Sequence, residues 1–237
     1  MTISVDPIAT AGLVTREVHT GERAGAPTRV AVARRPYATD PADLWDALTD
    51  PQRIPRWFLP VSGDLRVGGR YSLTGNASGV VERCDAPRLL ALTWEMGPQV
   101  SWVEVELAPV DDGTGDRTRL ELRHEAPVDP EFWTQYGPGA VGVGWDLALL
   151  GLGLHLDTGE PVDPDDGAGY ALTADGRAFV RASAQGWTAA AVAAGEDARD
   201  MQAAGERTVT FYTVDPSQPS TEETPTEETA TGPTPTE

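Results

Sequence analysis

The chain has 237 residues, 37 of them acidic and 18 basic, for a formal charge of −19, and that balance repels nucleic-acid phosphates and anionic membrane surfaces alike. Its one cysteine, Cys84, excludes an intrachain disulfide framework and a multi-cysteine metal site. The length suffices for a large domain with a substantial core, and MTISVDPIATAG has no basic stretch leading into an apolar run and a small-residue cleavage site, so the expected compartment is the cytoplasm.

Residues 1–11 show no apolar period and read as a flexible lead-in. Residues 13–19 and 30–34 each alternate, and the turn-like GERAGAPT between them makes the two a hairpin. Asp40 is placed to cap a helix starting at Pro41, with Asp43 as the acid of a capping box and Leu44, Trp45 and Leu48 on the buried side. A second short helix over 51–57 presents Ile54, Trp57 and Phe58 before Pro60 ends it.

Strands follow at 70–74, 79–84, 89–95, 100–108 and 120–125, separated by turns at Gly75-Asn76, Asp85-Ala86-Pro87, Gly97-Pro98 and DDGTGD. Val103, Val105 and Leu107 share one face while Trp102, Glu104 and Glu106 take the other, and Leu120, Leu122 and His124 alternate with Glu121, Arg123 and Glu125. The pattern is an antiparallel meander with one wet face, whose other face needs a cover.

The stretch 129–156, DPEFWTQYGPGAVGVGWDLALLGLGLHL, can supply it. From residue 140 it reads as one helix, with Val141, Trp145, Ala148, Leu149, Leu152 and Leu156 recurring at three- and four-residue steps. Its length approaches the roughly 20 residues of a membrane span, but Asp146, His155 and the glycines interrupt it, so a helix lying on the sheet is preferred. Residues 12–157 thus form the main domain, 158–173 a linker and 174–213 an accessory helical pair broken at Gly195, with Phe179, Ser183 and Trp187 along one face. The accessory helices have too few large apolar residues for a separate core and should pack on the main domain. Residues 214–237, rich in Pro, Thr and Glu without a basic residue, read as a disordered tail.

The segments DPADLWDALTDPQRIPRWF (40–58) and GVVERCDAPRLLALTW (79–94) resemble one branch of the START and pollen-allergen-like (SRPBCC) superfamily, named after the C-terminal domain of the activator of the heat-shock-protein-90 ATPase. The resemblance covers about residues 29–156 and rests on Trp57-Phe58 after a helix, the turn Asp85-x-Pro87-Arg88, and Thr93-Trp94. It implies an α+β helix-grip fold, in which a bent antiparallel sheet wraps around a long C-terminal helix and encloses a cavity. It also implies three kinds of role, since the superfamily includes hydrophobic-ligand carriers, cyclase-like enzymes and cochaperone-like domains, and a fold does not choose among them.

Candidate ligand-binding residues are Trp57 and Phe58, which suit a cavity mouth less well than an anchor of the short helix to the sheet, and Trp94, which continues the inward phase of Leu90 and Leu92. Trp133 and Tyr136, beside the Gly-Pro-Gly junction, suit an entrance or a packed cap, and Val141, Trp145 and Leu149 lie where the helix meets ligand or core. His124 faces inward; it suits a general base less well than a satisfied core histidine, because no nucleophile is fixed beside it. Trp102 has the outward phase, suiting an exposed ring or a contact with the N-terminal hairpin or the added helices. Arg56 and Arg70 could steer an acidic ligand or pair with surface carboxylates, Cys84 reads as a small buried hydrophobe, and the three histidines with Cys84 match no metal spacing. Gly139, Gly142 and Gly144 lack the phosphate-loop pattern and instead permit close helix packing or leave room in the grip. The leading expectation is a non-enzymatic module, monomer or homodimer, that binds a small, mainly apolar ligand between sheet and helix, with no cofactor, metal, nucleic acid or membrane. A protein-interaction or cochaperone-like domain, and a cyclase- or hydrolase-like enzyme using His124 with Glu125 or Arg56, are the alternatives.

Overall fold

The computed structural model describes residues 5–110 and 117–214. Among these residues, eight antiparallel strands form one sheet in the order β1-β2-β8-β7-β6-β5-β4-β3. They are β1 (Thr15–Arg23), β2 (Ala26–Tyr37), β3 (Val61–Gly63), β4 (Arg70–Leu73), β5 (Ser78–Asp85), β6 (Leu89–Met96), β7 (Gln99–Pro109) and β8 (Thr118–Pro127). The expected hairpin turns at Ala24 and Gly25, both at positive φ, the backbone handedness that suits twisted antiparallel strands. The three-residue β3 was not anticipated, being too short to show a period.

Helix α2 (Pro41–Thr49) starts as expected, with the Asp40 carboxylate accepting from the amides of Ala42 and Asp43. The capping box is only half made: the Asp43 carboxylate accepts from the Thr39 hydroxyl (2.6 Å) and Arg53 Nη1 (2.7 Å). Where a second helix was expected, Pro51 and Pro55 lack the amides an α-helix needs, and a single 3-10 turn forms at Ile54–Arg56. Helix α3 (Pro130–Tyr136), capped by Asp129, precedes the long α4 (Gly139–Thr158), where the sequence had shown no helix before residue 138.

Helix α4 passes through the middle of the molecule and completes a helix-grip fold. Leu149 and Leu152 face the sheet, and the Leu149 carbonyl accepts from Arg35 Nη1 (2.7 Å) and the Tyr37 hydroxyl (3.0 Å), tying the helix to β2. Its opposite face is covered by α6 (Ala174–Ala193) and α7 (Ala198–Thr213). A helix covered on both sides is apolar all round, which is why α4 has the length and composition of a membrane span. A side chain at Gly142 would strike the Trp187 indole, and one at Gly139 would strike Thr208, so these glycines serve the approach of the added helices and not of the sheet.

The added helices are locked by a buried ion pair. Asp146 is fully buried, and its Oδ2 accepts from Arg16 Nε (2.9 Å) and Nη2 (2.7 Å), from the Ser183 hydroxyl and from Trp187 Nε1 (3.1 Å). Arg16 also donates to the carbonyls of Ala11 and Val14, so one guanidinium joins β1, α4 and the end of helix α1 (Pro7–Gly12). The stretch expected as a flexible lead-in therefore contains a helix, with Ala11 buried against Leu150, Tyr170 and Phe179. The expected linker likewise contains α5 (Pro164–Gly169) and a 3-10 turn, Tyr170–Leu172. Thr208 to Tyr212, strand-like by composition, belong to α7, where Met201 and Ala204 supply the buried side. The DDGTGD turn and residues 215–237 of the tail lie outside the described residues.

Candidate functional site

The sheet bends around α4 without filling the space beneath it. A cavity of about 170 Å³ remains, floored by Leu92, Trp94, Val103, Val105 and Leu122 and roofed by Trp145, Ala148 and Leu149. Its side wall comes from α2 and the following turn, with Leu48, Ile54, Trp57 and Phe58. Leu65 and Cys84 also line it and are solvent-exposed, which places the opening between the β3–β4 connection and the end of β5. Cys84 is thus an exposed rim residue and not a buried hydrophobe; a bulge between Val81 and Arg83 shifts the phase of β5 just before it.

The polar groups of this wall are mostly satisfied by the protein. Trp57 Nε1 donates to the Ala47 carbonyl (2.8 Å), the Thr49 hydroxyl to the Trp45 carbonyl (2.8 Å) and the Tyr71 hydroxyl to the Thr93 carbonyl (2.7 Å). Burial raises the Tyr71 phenol well above its ordinary range, so it stays neutral. No carboxylate, ammonium or guanidinium lines the space among the described residues, and the surface offered to a ligand is aliphatic and aromatic. The rings form a continuous cluster: Trp57 stacks on Phe58 (5.4 Å between centroids), Phe58 on Trp145 (6.5 Å), and Trp145 tilts against Trp94 (5.0 Å).

His124 stands behind Trp145, and its hydrogen bonds fix its state. Nδ1 accepts from Trp145 Nε1 (2.9 Å), so the ring proton sits on Nε2 and donates to Ser101 Oγ (2.8 Å). The Ser101 hydroxyl in turn donates to the Trp94 carbonyl (3.1 Å). Burial lowers the His124 pKa to about 4, and with both nitrogens occupied the imidazole is held neutral and has no free position for a substrate proton. Glu125 lies on the opposite face of β8, where it accepts from the Thr28 hydroxyl (2.8 Å) and Arg23 (2.9 Å). Arg56 donates to the Gly159 carbonyl and Arg70 pairs with Glu95, so neither joins His124. Ser101 was absent from the sequence reading, although it shares the inward parity of Val103 and Val105.

A second hollow of about 70 Å³ lies between β2, β8, α3 and the start of α4, and is lined by His124, Trp133 and Val141 among others. The candidates named from sequence therefore divide. Trp57, Phe58, Trp94, Trp145 and Leu149 line the main cavity, His124, Trp133 and Val141 line the second, and Tyr136 lines neither, packing instead against the rings of Phe132 and Phe211. Trp102 lies on the outer face beneath the Arg23 guanidinium (4.3 Å), a contact with the N-terminal hairpin. Among the described residues no three His, Cys, Asp or Glu side chains are grouped to hold a metal ion.

Residues 38–153 match the family described as Activator of Hsp90 ATPase homolog 1-like protein. The chain is 32% identical to CalU16 from Micromonospora echinospora over 77% of its own length. It covers 99% of the CalU16 crystal structure with a TM-score of 0.59 and 97% of the solution structure with 0.62. It is also 26% identical to protein MLL2253 from Mesorhizobium loti, covering 54% of this chain and 97% of that one, with a TM-score of 0.47. None of the curated proteins matches it.

Proposed function

The chain belongs to the Activator of Hsp90 ATPase homolog 1-like family, and we propose that it binds one small, mainly apolar molecule in the cavity between sheet and α4 without transforming it. The observation that carries this reading is the cavity wall: about 170 Å³ of space bounded by aliphatic and aromatic side chains. Such a surface gives little purchase to an ion and a good deal to hydrocarbon, at roughly 25 cal/mol per Å² of apolar area removed from water. A ligand burying about 250 Å² of apolar surface gains about 6 kcal/mol on that scale before the costs of association are met, so affinity of roughly tens of micromolar or weaker is the expected range. The indole N–H of Trp94 has no protein acceptor among the described residues, and it is the group we assign to orient one polar atom of the ligand. The occupied nitrogens of His124 support binding over catalysis.

Titration with the neutral fluorophore N-phenyl-naphthylamine tests the proposal. Wild-type protein should give saturable one-to-one enhancement with a dissociation constant of roughly tens of micromolar or weaker. Ala148→Phe, which places a ring in the cavity, should weaken it at least about ten-fold while far-UV circular dichroism is unchanged, since a filled pocket offers no apolar area to the probe. Absence of saturable binding to the wild type, or equal binding by the folded variant, would overturn the reading.

A further inference from the structure

We propose that the Trp145–His124 hydrogen bond is a partition dividing the interior of the grip into two chambers, and that Trp145 sets the maximum length of the bound molecule. The inference rests on the binding role proposed above and adds a second apolar subsite to it.

The two hollows share no lining residue, and the contact of Trp145 with His124 lies between them. Trp145 roofs the larger, His124 fronts the smaller, and the indole N–H of the first donates to the imidazole of the second at 2.9 Å. At that point the wall is made by two side chains, the Trp145 indole and the His124 imidazole. It is pinned at several points: Trp94 packs on both rings at 5.0 and 6.4 Å, and Ser101 bridges His124 to the Trp94 carbonyl. Beyond it, the smaller chamber is lined by Val18, Ala31, Trp133 and Val141, again mainly apolar. A chain that fills the larger chamber ends against Trp145, whereas one that displaced the indole would continue between β2 and α3. Closing the wall in this way selects short or compact apolar ligands over long ones, and the preference is set by one side chain on α4.

The test is a series of n-alkan-1-ols, from octanol to tetradecanol, competing with N-phenyl-naphthylamine. In wild-type protein, affinity should rise about four-fold per methylene, the increment expected for a buried CH₂, and then stop rising at a fixed chain length. Trp145→Ala should move that limit to longer chains by two or more methylenes, a gain of about four-fold for the first alcohol beyond the wild-type limit and about fifteen-fold for the second. Removing an indole also enlarges the first chamber, so Ala31→Phe, which fills the second, is added to Trp145→Ala and should return the limit toward that of the wild type. Should Trp145→Ala not fold, His124→Ala opens the same wall from the other side, with the same expectation. An unmoved limit, or a longer limit that Ala31→Phe leaves intact, overturns the partition while the single-cavity role stands. A wild type that binds neither fluorophore nor alcohol overturns the binding role itself, and the partition falls with it.

Discussion

Arg16→Ala is expected to destabilise the protein by about 3–5 kcal/mol at neutral pH, the range for removing one partner of a buried ion pair. Asp146 is fully exposed to this loss because its surroundings are β1, α4 and α6, and the Arg16 guanidinium is its counter-charge. The Ser183 hydroxyl and Trp187 N–H that would remain are dipoles, too weak to hold an anion away from water. Burial already pushes the Asp146 carboxyl upward while Arg16 pulls it back; without Arg16 the folded form would take up a proton that the unfolded form holds only near its ordinary pKa. The sign follows. A carboxyl whose folded pKa is raised loses stability as pH rises through the interval between the two values, so the deficit of Arg16→Ala should be larger at pH 7 than at pH 4. Urea denaturation at both pH values gives the answer, and a deficit below about 1 kcal/mol would place the pair among inconsequential surface contacts. Because the guanidinium also holds the carbonyls of Ala11 and Val14, helix α1 should loosen first.

The second large effect is acid lability at His124. Its unfolded form titrates near 6.5 and its folded form near 4, because burial disfavours the imidazolium. As pH falls below 6.5 the unfolded chain binds a proton that the folded chain refuses, so stability present above pH 6.5 is lost progressively down to about pH 4. Integrated over that interval the loss is about 3 kcal/mol. A proton on Nδ1 would face the Trp145 N–H, two donors with no acceptor between them, which is the local reason for the refusal. Carboxylates held low by arginines, such as Glu17 beside Arg34 and Glu95 beside Arg70, withdraw their stabilisation only at lower pH as they protonate. Comparison with His124→Leu separates the two contributions: the variant should lose the slope between pH 6.5 and 4 and keep the one below. Parallel profiles for wild type and variant would show that His124 is not the group responsible.

Much of this site was legible through side-chain parity. On a strand, residues two apart share a face, so Trp94 follows Leu90 and Leu92, and His124 follows Leu120 and Leu122; the structure buries Trp94, Leu120, Leu122 and His124 and turns the half-buried Leu90 and Leu92 toward the cavity. The same rule argues against pairing His124 with Glu125, which are neighbours in sequence and therefore face opposite ways, and it would have admitted Ser101. What parity could not supply was distance. Arg16 and Asp146 are 130 residues apart, and the only local signal was a carboxylate placed mid-way along an apolar helix. That helix looked one-sided because the sheet was the cover in view, whereas its glycines record a second cover in α6 and α7. Cys84 shows the rule failing for a physical reason, since the bulge at Val81 and Arg83 resets the alternation just before it. Short elements with no repeat of their own, β3, α1 and the turn at Tyr170–Leu172, gave no period to read.

The account depends on α4 and the sheet enclosing empty apolar space. A crystal of the wild-type protein under xenon pressure tests this most directly, since apolar cavities of this size stay dry and admit small apolar guests. The expected result is xenon density bounded by Trp94, Val105, Trp145 and Leu149. A structure in which those side chains meet, with no xenon between them, would contradict it.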